Sequence, residues 1–136
     1  GVAKVLTHDL IHLGASDAGA HVSQFCGAGD TSDLLGRWVR DRKAFTLERA
    51  VHRLTGELAD AFGVRGRGRL VPGQAGDLVV FDPATIDRGE EDFIADVPGG
   101  GNRYVRHARG ISAVYVNGAL TWNGREYTSA RAGMIV

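Results

Sequence analysis

The spacing of apolar residues changes near Gly63 to Gly68, and this change limits the folds that the chain can adopt. Before this point apolar residues recur at helical intervals. After it, short β-branched runs alternate with turn residues, as in the strands of an antiparallel sheet. The pattern predicts an α+β protein with a helical part over residues 1–63 and a β part over residues 64–136.

A short apolar run from Leu10 to Gly14 precedes the small, polar sequence Ser16-Asp17-Ala18-Gly19-Ala20-His21. An apolar run of this length that ends in turn-forming residues is typical of a buried strand. Asp17 is then expected at the C-terminal end of the strand. A Ser-Asp pair at a strand end also occurs as a turn or helix cap, and the local pattern by itself favours that structural role.

Helix signals divide the rest of the first part. Apolar positions predict one amphipathic helix that ends near Arg42 and a second that follows the N-cap residue Thr46. The second is expected to end at Gly63, a typical C′ residue. Thr55-Gly56 favours its division into two helices, because threonine can cap a new helix and glycine weakens a helix interior.

Turn signals divide the second part into strands. Residues 68–73 are predicted as an edge strand that pairs with residues 77–82, and residues 84–110 as an irregular connection. The Asn-Gly pairs at 117–118 and 123–124 favour tight type I′ turns. They predict a three-stranded meander over Ile111 to Val116, Ala119 to Trp122 and Arg125 to Thr128.

Charge and cysteine content exclude several classes of function. The 16 basic and 16 acidic side chains cancel, so no field of one sign favours a nucleic acid or an anionic membrane as partner. The single cysteine, Cys26, cannot form an intramolecular disulfide and is expected to pack as a small apolar residue. With neither a signal peptide nor a long apolar span in the sequence, the expected location is cytoplasmic.

The histidines do not predict a self-contained zinc site. His8, His12 and His21 do not follow a recognised zinc-ligand spacing. Asp17 and His21 are four residues apart and could converge on a metal only if their loop folds back. From spacing alone, Asp17 therefore remains an isolated candidate.

Longer blocks carry a family resemblance. The sequences at residues 13–22, 35–42, 54–63, 68–83 and 114–118 resemble the N-acyl-D-amino-acid deacylases (D-aminoacylases) of the metal-dependent amidohydrolase superfamily. The resemblance extends over essentially all 136 residues. The Gly-x-x-x-x-Gly-x-x-x-Asp-Leu-Val-Val pattern that begins at Gly68 is typical of the superfamily, whereas the Ser-Asp-Ala-Gly-Ala-His block favours the deacylases.

The resemblance implies a fold and a site. Residues 1–63 are expected to form the last strand and helices of a (β/α)8 barrel, and residues 64–136 the C-terminal part of a small antiparallel β-sandwich. Asp17 is implied to be both a zinc ligand and the group that moves the proton, with His21 and Ser16 binding substrate or supporting Asp17. The family's His-x-His pair does not occur in this sequence. The other ligands of its one or two zinc ions are therefore expected in a missing N-terminal portion of a longer protein.

The implied function is hydrolysis of linear amide bonds, with an N-acyl-D-amino acid or a related acylated amine as the small-molecule substrate. The isolated chain is expected to be inactive, and to self-associate or to pair with the missing portion. Two alternatives stay open: a non-catalytic α+β interaction or vestigial module, and a cyclic-amide hydrolase similar to hydantoinases and dihydropyrimidinases.

Overall fold

The computed structural model describes residues 1–14 and 16–135. Its helices are α1 (Val2–Leu6), α2 (Asp30–Asp33, continued by a π-helix over Leu34–Asp41), α3 (Leu47–Leu54) and α4 (Gly56–Ala61). Its strands are β1 (Leu78–Phe81), β2 (Glu91–Val97), β3 (Gly101–Arg106), β4 (Ile111–Val116) and β5 (Ala119–Trp122). The prediction of an α+β chain with antiparallel strands is confirmed. None of the described helices has both the length and the apolar character that a bilayer span requires.

The segment between α1 and the candidate residue Asp17 is irregular. Residues 7–10 form turns, and residues 11–14 have no regular secondary structure. Leu10 is 85% exposed, so the prediction of a buried strand from Leu10 to Gly14 is wrong for this structure. A strand is held by hydrogen bonds to neighbouring strands, and none of the described strands pairs with this segment. Ala15, which belongs to the family-like block, lies outside the described residues.

The helix predictions are largely confirmed. The helix after residue 29 ends at Asp41, and Thr46 caps α3 by accepting a hydrogen bond from the Arg49 amide at 3.2 Å. Helix α4 ends in a Schellman turn at Gly63, in which the Val64 amide donates to Ala59 at 2.8 Å. These features depend on residues close together in the sequence, so local signals predicted them.

Thr55 separates α3 from α4 as predicted, but it does so differently. Its hydroxyl donates to the Val51 carbonyl at 2.7 Å and is not used to cap α4. The backbone of Thr55 leaves the helical region, with φ −127° and ψ −85°. The predicted cap is therefore wrong, although the predicted break is correct.

A small core joins the helices to the strands. Its buried apolar members are Leu34, Leu35, Ala50 and Ile86. Ile86, between β1 and β2, is only 2% exposed. Gly36 allows the π-helix to approach this segment, since a Cβ there would lie 2.6 Å from the Ile86 carbonyl oxygen. Arg40 donates to the same oxygen at 2.7 Å.

The strands form two antiparallel sheets, with the order β1-β4-β5 in one and β2-β3 in the other. Residues 68–73 form bends and turns instead of the predicted edge strand. Side-chain bonds hold this loop on both sides, because Arg67 binds Asp77 and Arg69 binds Asp60. The partner of β1 is β4, a segment at least 30 residues away in the sequence.

Residues 84–110 contain the hairpin β2-β3, so the prediction of an irregular connection is wrong. Residues 98–100 form its turn. Phe93 and Tyr104 face each other across the two strands with ring centroids 4.6 Å apart. Arg103 and Asp96 form a bidentate ion pair with both N–O distances at 2.7 Å. These cross-strand pairs stabilise the hairpin, and neither strand shows the alternation of apolar and polar residues from which it could have been predicted.

The meander is confirmed in two of its three strands. Asn117 and Gly118 have φ values of 48° and 80°, the left-handed pair that a type I′ turn requires. The third predicted strand is reduced to one bridge between Trp122 and Tyr127. Asn123 explains the difference, because its side-chain oxygen accepts from the amides of residues 125 and 126 and closes a wider turn.

Candidate functional site

Asp17 lies in an extended loop, residues 16–29, which we call the Asp17 loop. Its carbonyl accepts a hydrogen bond from the Ala20 amide at 2.9 Å, and the neighbouring Ser16 hydroxyl accepts one from the Ala18 amide at 3.3 Å. The Asp17 side chain is exposed, and no hydrogen bond or ion pair joins its carboxylate to another described residue. The loop therefore holds the backbone of Asp17 and leaves its carboxylate available to a ligand.

His21 lies in the same loop in a left-handed conformation, with φ 51°. Its carbonyl accepts from the Gln24 amide at 2.8 Å, and its ring lies 6.1 Å from the ring of Phe25. Within the described part of the chain, no hydrogen bond joins the side chains of Ser16, Asp17 and His21. The three predicted site residues thus share one loop but are not bonded to each other.

Two glycines make close backbone contacts possible around the Asp17 loop. A Cβ at Gly27 would lie 2.8 Å from the carbonyl carbon of Asp17. A Cβ at Gly29 would lie 2.8 Å from Cβ of Arg88, just before the β2-β3 hairpin. The hairpin also reaches the loop through the Tyr104 amide, which donates to the Val22 carbonyl at 2.7 Å. Sequence reasoning missed these contacts, because it predicted no structure for residues 84–110.

A buried arginine holds the segment that precedes the loop. Arg53 on α3 is 0% exposed, and its guanidinium donates to the carbonyls of Leu6, His8 and Ile11. It also donates to Glu57 at 3.2 Å. A buried charge is tolerated only when paired and hydrogen-bonded, and Arg53 meets this condition. Its helical position gave no signal that its partners would be backbone carbonyls more than 40 residues away.

Glu57 is the shared carboxylate of this cluster. His12 lies 3.2 Å from it and Arg49 3.4 Å, besides Arg53. Burial acts to raise the pKa of Glu57, but the hydrogen bond with His12 and the charges of Arg53 and Arg49 outweigh it. The pKa of Glu57 is therefore below its ordinary value, and the carboxylate is kept ionised.

The donor set fits a single position of a metal site. Catalytic zinc usually has three protein ligands and one open position. Across residues 1–14 and 16–135, no three His, Cys, Asp or Glu side chains are grouped so that they could hold a metal ion. The exposed carboxylate of Asp17 suits one ligand position, and the remaining ligands would have to come from outside the described residues.

Comparison with known proteins decides the family. Residues 2–121 match the amidohydrolase family. The chain belongs to this family. A D-aminoacylase of Alcaligenes xylosoxydans xylosoxydans is 43% identical to this amidohydrolase chain over 103 residues, which are 76% of the chain and 19% of the relative. The resemblance to the D-aminoacylases is thereby confirmed.

Solved structures agree with this assignment. The crystal structure of a D-aminoacylase is 42% identical and has a TM-score of 0.61, covering 77% of this chain and 20% of that one. An N-acyl-D-glutamate deacylase from Bordetella bronchiseptica, complexed with zinc and a phosphonate mimic of the tetrahedral intermediate, is 40% identical with a TM-score of 0.55. It covers 71% of this chain and 20% of that one. The chain thus spans about a fifth of the length of the relatives that it matches.

Proposed function

We propose that this chain forms the C-terminal part of a zinc-dependent amidohydrolase that hydrolyses linear amide bonds, with N-acyl-D-amino acids as substrates. The observation that carries the proposal is the state of Asp17. This residue lies in the deacylase-like block. Its carboxylate is exposed and forms no hydrogen bond or ion pair with another described residue, whereas its backbone carbonyl accepts a hydrogen bond from Ala20. The similarity to D-aminoacylase and to N-acyl-D-glutamate deacylase supports the choice of substrate class.

In this proposal Asp17 has two tasks. When bound, zinc supplies a Lewis acid that polarises the scissile carbonyl and lowers the pKa of water toward about 7. The Asp17 carboxylate provides one ligand, accepts a proton from the attacking water, and delivers that proton to the leaving amine nitrogen. Ser16 and His21, in the same loop, bind the substrate or support Asp17.

The isolated chain is proposed to be inactive. A single carboxylate does not retain a catalytic zinc ion against water, so the other ligands have to come from a preceding portion of a longer protein. The chain also exposes large apolar side chains, including Leu10 at 85%, Phe62 at 76% and Leu70 at 76%. We therefore propose that the isolated chain self-associates when it is not paired with that portion. A monomeric mass in dilute light scattering would argue against self-association.

The test compares two proteins, this chain and the longest reading frame that contains it. Zinc content and hydrolysis of an N-acyl-D-amino acid are measured for each, with and without Asp17→Ala. We expect zinc and turnover in the longer protein only, and a loss of about 100-fold or more in kcat with Asp17→Ala, the size of a general acid-base contribution.

A matched control separates this role from the general loss of a surface charge. Asp92 on β2 is also exposed and has no ion pair among the described residues. Asp92→Ala is expected to keep turnover within about twofold, as surface substitutions away from a site usually do. Robust turnover by the 136-residue chain, or an active Asp17→Ala enzyme, contradicts the proposal. If this chain is not contained in any longer reading frame, and neither zinc nor Asp17→Ala changes turnover, the chain is a non-catalytic module.

A further inference from the structure

We propose that Gly27 is a positioning residue for Asp17, and that Gly29 connects it to the β2-β3 hairpin, which fixes where the Asp17 carboxylate lies. This inference rests on the proposed role of Asp17. It assigns to the hairpin and to two glycines a part in the reaction that the family resemblance does not supply. Three contacts join Asp17 and its loop to the hairpin.

The first contact joins Asp17 to Gly27. A Cβ at Gly27 would lie 2.8 Å from the carbonyl carbon of Asp17 and 2.9 Å from the amide nitrogen of Ala18. Distances this short are not found for real Cβ atoms, and both neighbours are backbone atoms that cannot rotate away. Gly27 is not among the residues with positive φ, so the objection to a side chain here is steric alone. The peptide that follows Asp17 therefore rests directly on the backbone of Gly27.

The second contact joins Gly29 to the base of the hairpin. Gly29 has φ 92°, and a Cβ there would lie 2.8 Å from Cβ of Arg88 and 3.1 Å from Cδ of Arg106. Arg106 belongs to β3, and its side chain is only 6% exposed. Arg88 also approaches Asp33 of α2, with an N–O distance of 3.6 Å. The end of the Asp17 loop is thus packed between the first turn of α2 and the hairpin.

The third contact is a hydrogen bond from the hairpin to the middle of the loop. The Tyr104 amide of β3 donates to the Val22 carbonyl at 2.7 Å. Tyr104 also packs its ring against Phe93 of β2. A backbone bond from a paired strand fixes the position of Val22, which lies five residues after Asp17.

Together these contacts make the position of Asp17 depend on the hairpin. A displacement of about 1 Å in a reacting group can cost about 100-fold in rate. Gly27 acts through the Asp17 peptide and not by contact with the substrate, so its replacement is expected to alter how the carboxylate is placed and to leave substrate binding nearly unchanged.

The test uses the longer enzyme and compares Gly27→Ala with Gly133→Ala. Gly133 also lacks a positive φ, but a Cβ there would meet nothing within 4 Å. Gly27→Ala is expected to lower kcat by about 10- to 100-fold with KM within about threefold, because positioning is lost while binding remains. Gly133→Ala is expected to match the unmodified enzyme.

A spectroscopic readout separates positioning from general damage to the fold. The enzyme is loaded with Co²⁺ in place of zinc, and its visible absorption spectrum is recorded for each variant. If Gly27 places the Asp17 ligand, the spectrum of Gly27→Ala shifts while that of Gly133→Ala stays the same. A merely destabilised but folded protein keeps the spectrum of the unmodified enzyme.

If Gly27→Ala does not fold, a second pair of variants tests whether the hairpin positions the Asp17 loop. Gly29→Ala and Gly73→Ala both place an alanine at a positive φ, 92° and 87°, but Gly73 lies outside the hairpin and a Cβ there would meet nothing within 4 Å. We expect a loss of kcat and a spectral shift in Gly29→Ala only. Equal behaviour of the two variants overturns the connection to the hairpin.

Asp17→Ala serves as the reference that keeps the two proposals apart. If Asp17→Ala retains zinc and turnover, the proposed function fails. If Asp17→Ala is inactive but Gly27→Ala matches Gly133→Ala in kcat and spectrum, and Gly29→Ala matches Gly73→Ala, the positioning inference is overturned and the proposed function stands.

Discussion

Asp17 and Arg53 are held in opposite ways. Arg53 is completely buried, and its guanidinium is satisfied by three backbone carbonyls and by Glu57. Asp17 is exposed, and the contacts that hold it are made by backbone atoms, so its carboxylate stays unengaged among the described residues. The comparison shows how a fold separates a charge that holds structure from a charge that remains available for chemistry.

Replacing Arg53 and replacing Asp17 should therefore change the stability of the fold by different amounts. Removing one partner of a buried, hydrogen-bonded charge leaves the others unsatisfied, which is costly. Removing the exposed Asp17 carboxylate leaves no described residue without a hydrogen-bond or ion-pair partner. Three measurements on the 136-residue chain test this contrast, in order of expected effect, with every variant at the same protein concentration because the chain is proposed to self-associate.

The largest effect is expected for Arg53→Ala. It removes the Arg53 donors from the carbonyls of Leu6, His8 and Ile11 and one of the three partners of Glu57, so we expect a loss of about 3–5 kcal/mol in the free energy of unfolding. Urea denaturation measures it. Arg49→Ala is the control, because Arg49 is 41% exposed and its ion pairs contribute at most about 1 kcal/mol. Similar losses in the two variants would show that Arg53 does not anchor the segment before Asp17.

A smaller effect is expected from the titration of Glu57. Its folded-state pKa is lowered, so its ionised form stabilises the fold above the ordinary pKa of 4.5, and this stabilisation is lost as pH falls through the folded-state pKa. Glu57→Gln should therefore be less stable than the unmodified chain near neutral pH. The difference should shrink as the solution is acidified below pH 4.5. Denaturant unfolding at several pH values measures this difference in the free energy of unfolding. A difference that does not vary with pH would show that the ionised Glu57 carboxylate does not stabilise the fold.

The smallest effect is expected for Asp17→Ala in the isolated chain. No described residue loses a partner, so the free energy of unfolding should change by no more than about 0.5 kcal/mol. The same denaturation experiment measures it. A loss comparable to that of Arg53→Ala would show that Asp17 is a structural residue, and would remove the contrast on which its proposed role depends.

Local features of the fold were predictable from neighbouring residues. The cap at Thr46, the helix end at Gly63 and the turn at Asn117-Gly118 each require only a few adjacent residues, and the structure confirms them. The strand over Leu78–Phe81 was also recognisable, because β-branched and aromatic residues follow one another there.

Features that depend on distant partners were not predictable. Residues 84–110 show no clear period in the sequence. They nevertheless contain the hairpin over residues 91–106, which cross-strand pairs stabilise, and Ile86, which core contacts bury. Conversely, residues 68–73 carry a strand-like pattern, yet side-chain bonds from Arg67 and Arg69 hold them as a loop. Local propensity is a weak guide where tertiary contacts outweigh it.

The same division applies to the candidate site. The sequence by itself determined the class of the chain, its helix ends and tight turn, and Asp17 as the residue that the deacylase-like block singles out. Only the tertiary structure decided that Gly27 lies against the Asp17 peptide, that Tyr104 binds the loop, and that Arg53 holds the segment before it. The physical reason is that a motif consists of adjacent residues, whereas the position of a side chain is set by packing and hydrogen bonds between segments far apart in the chain.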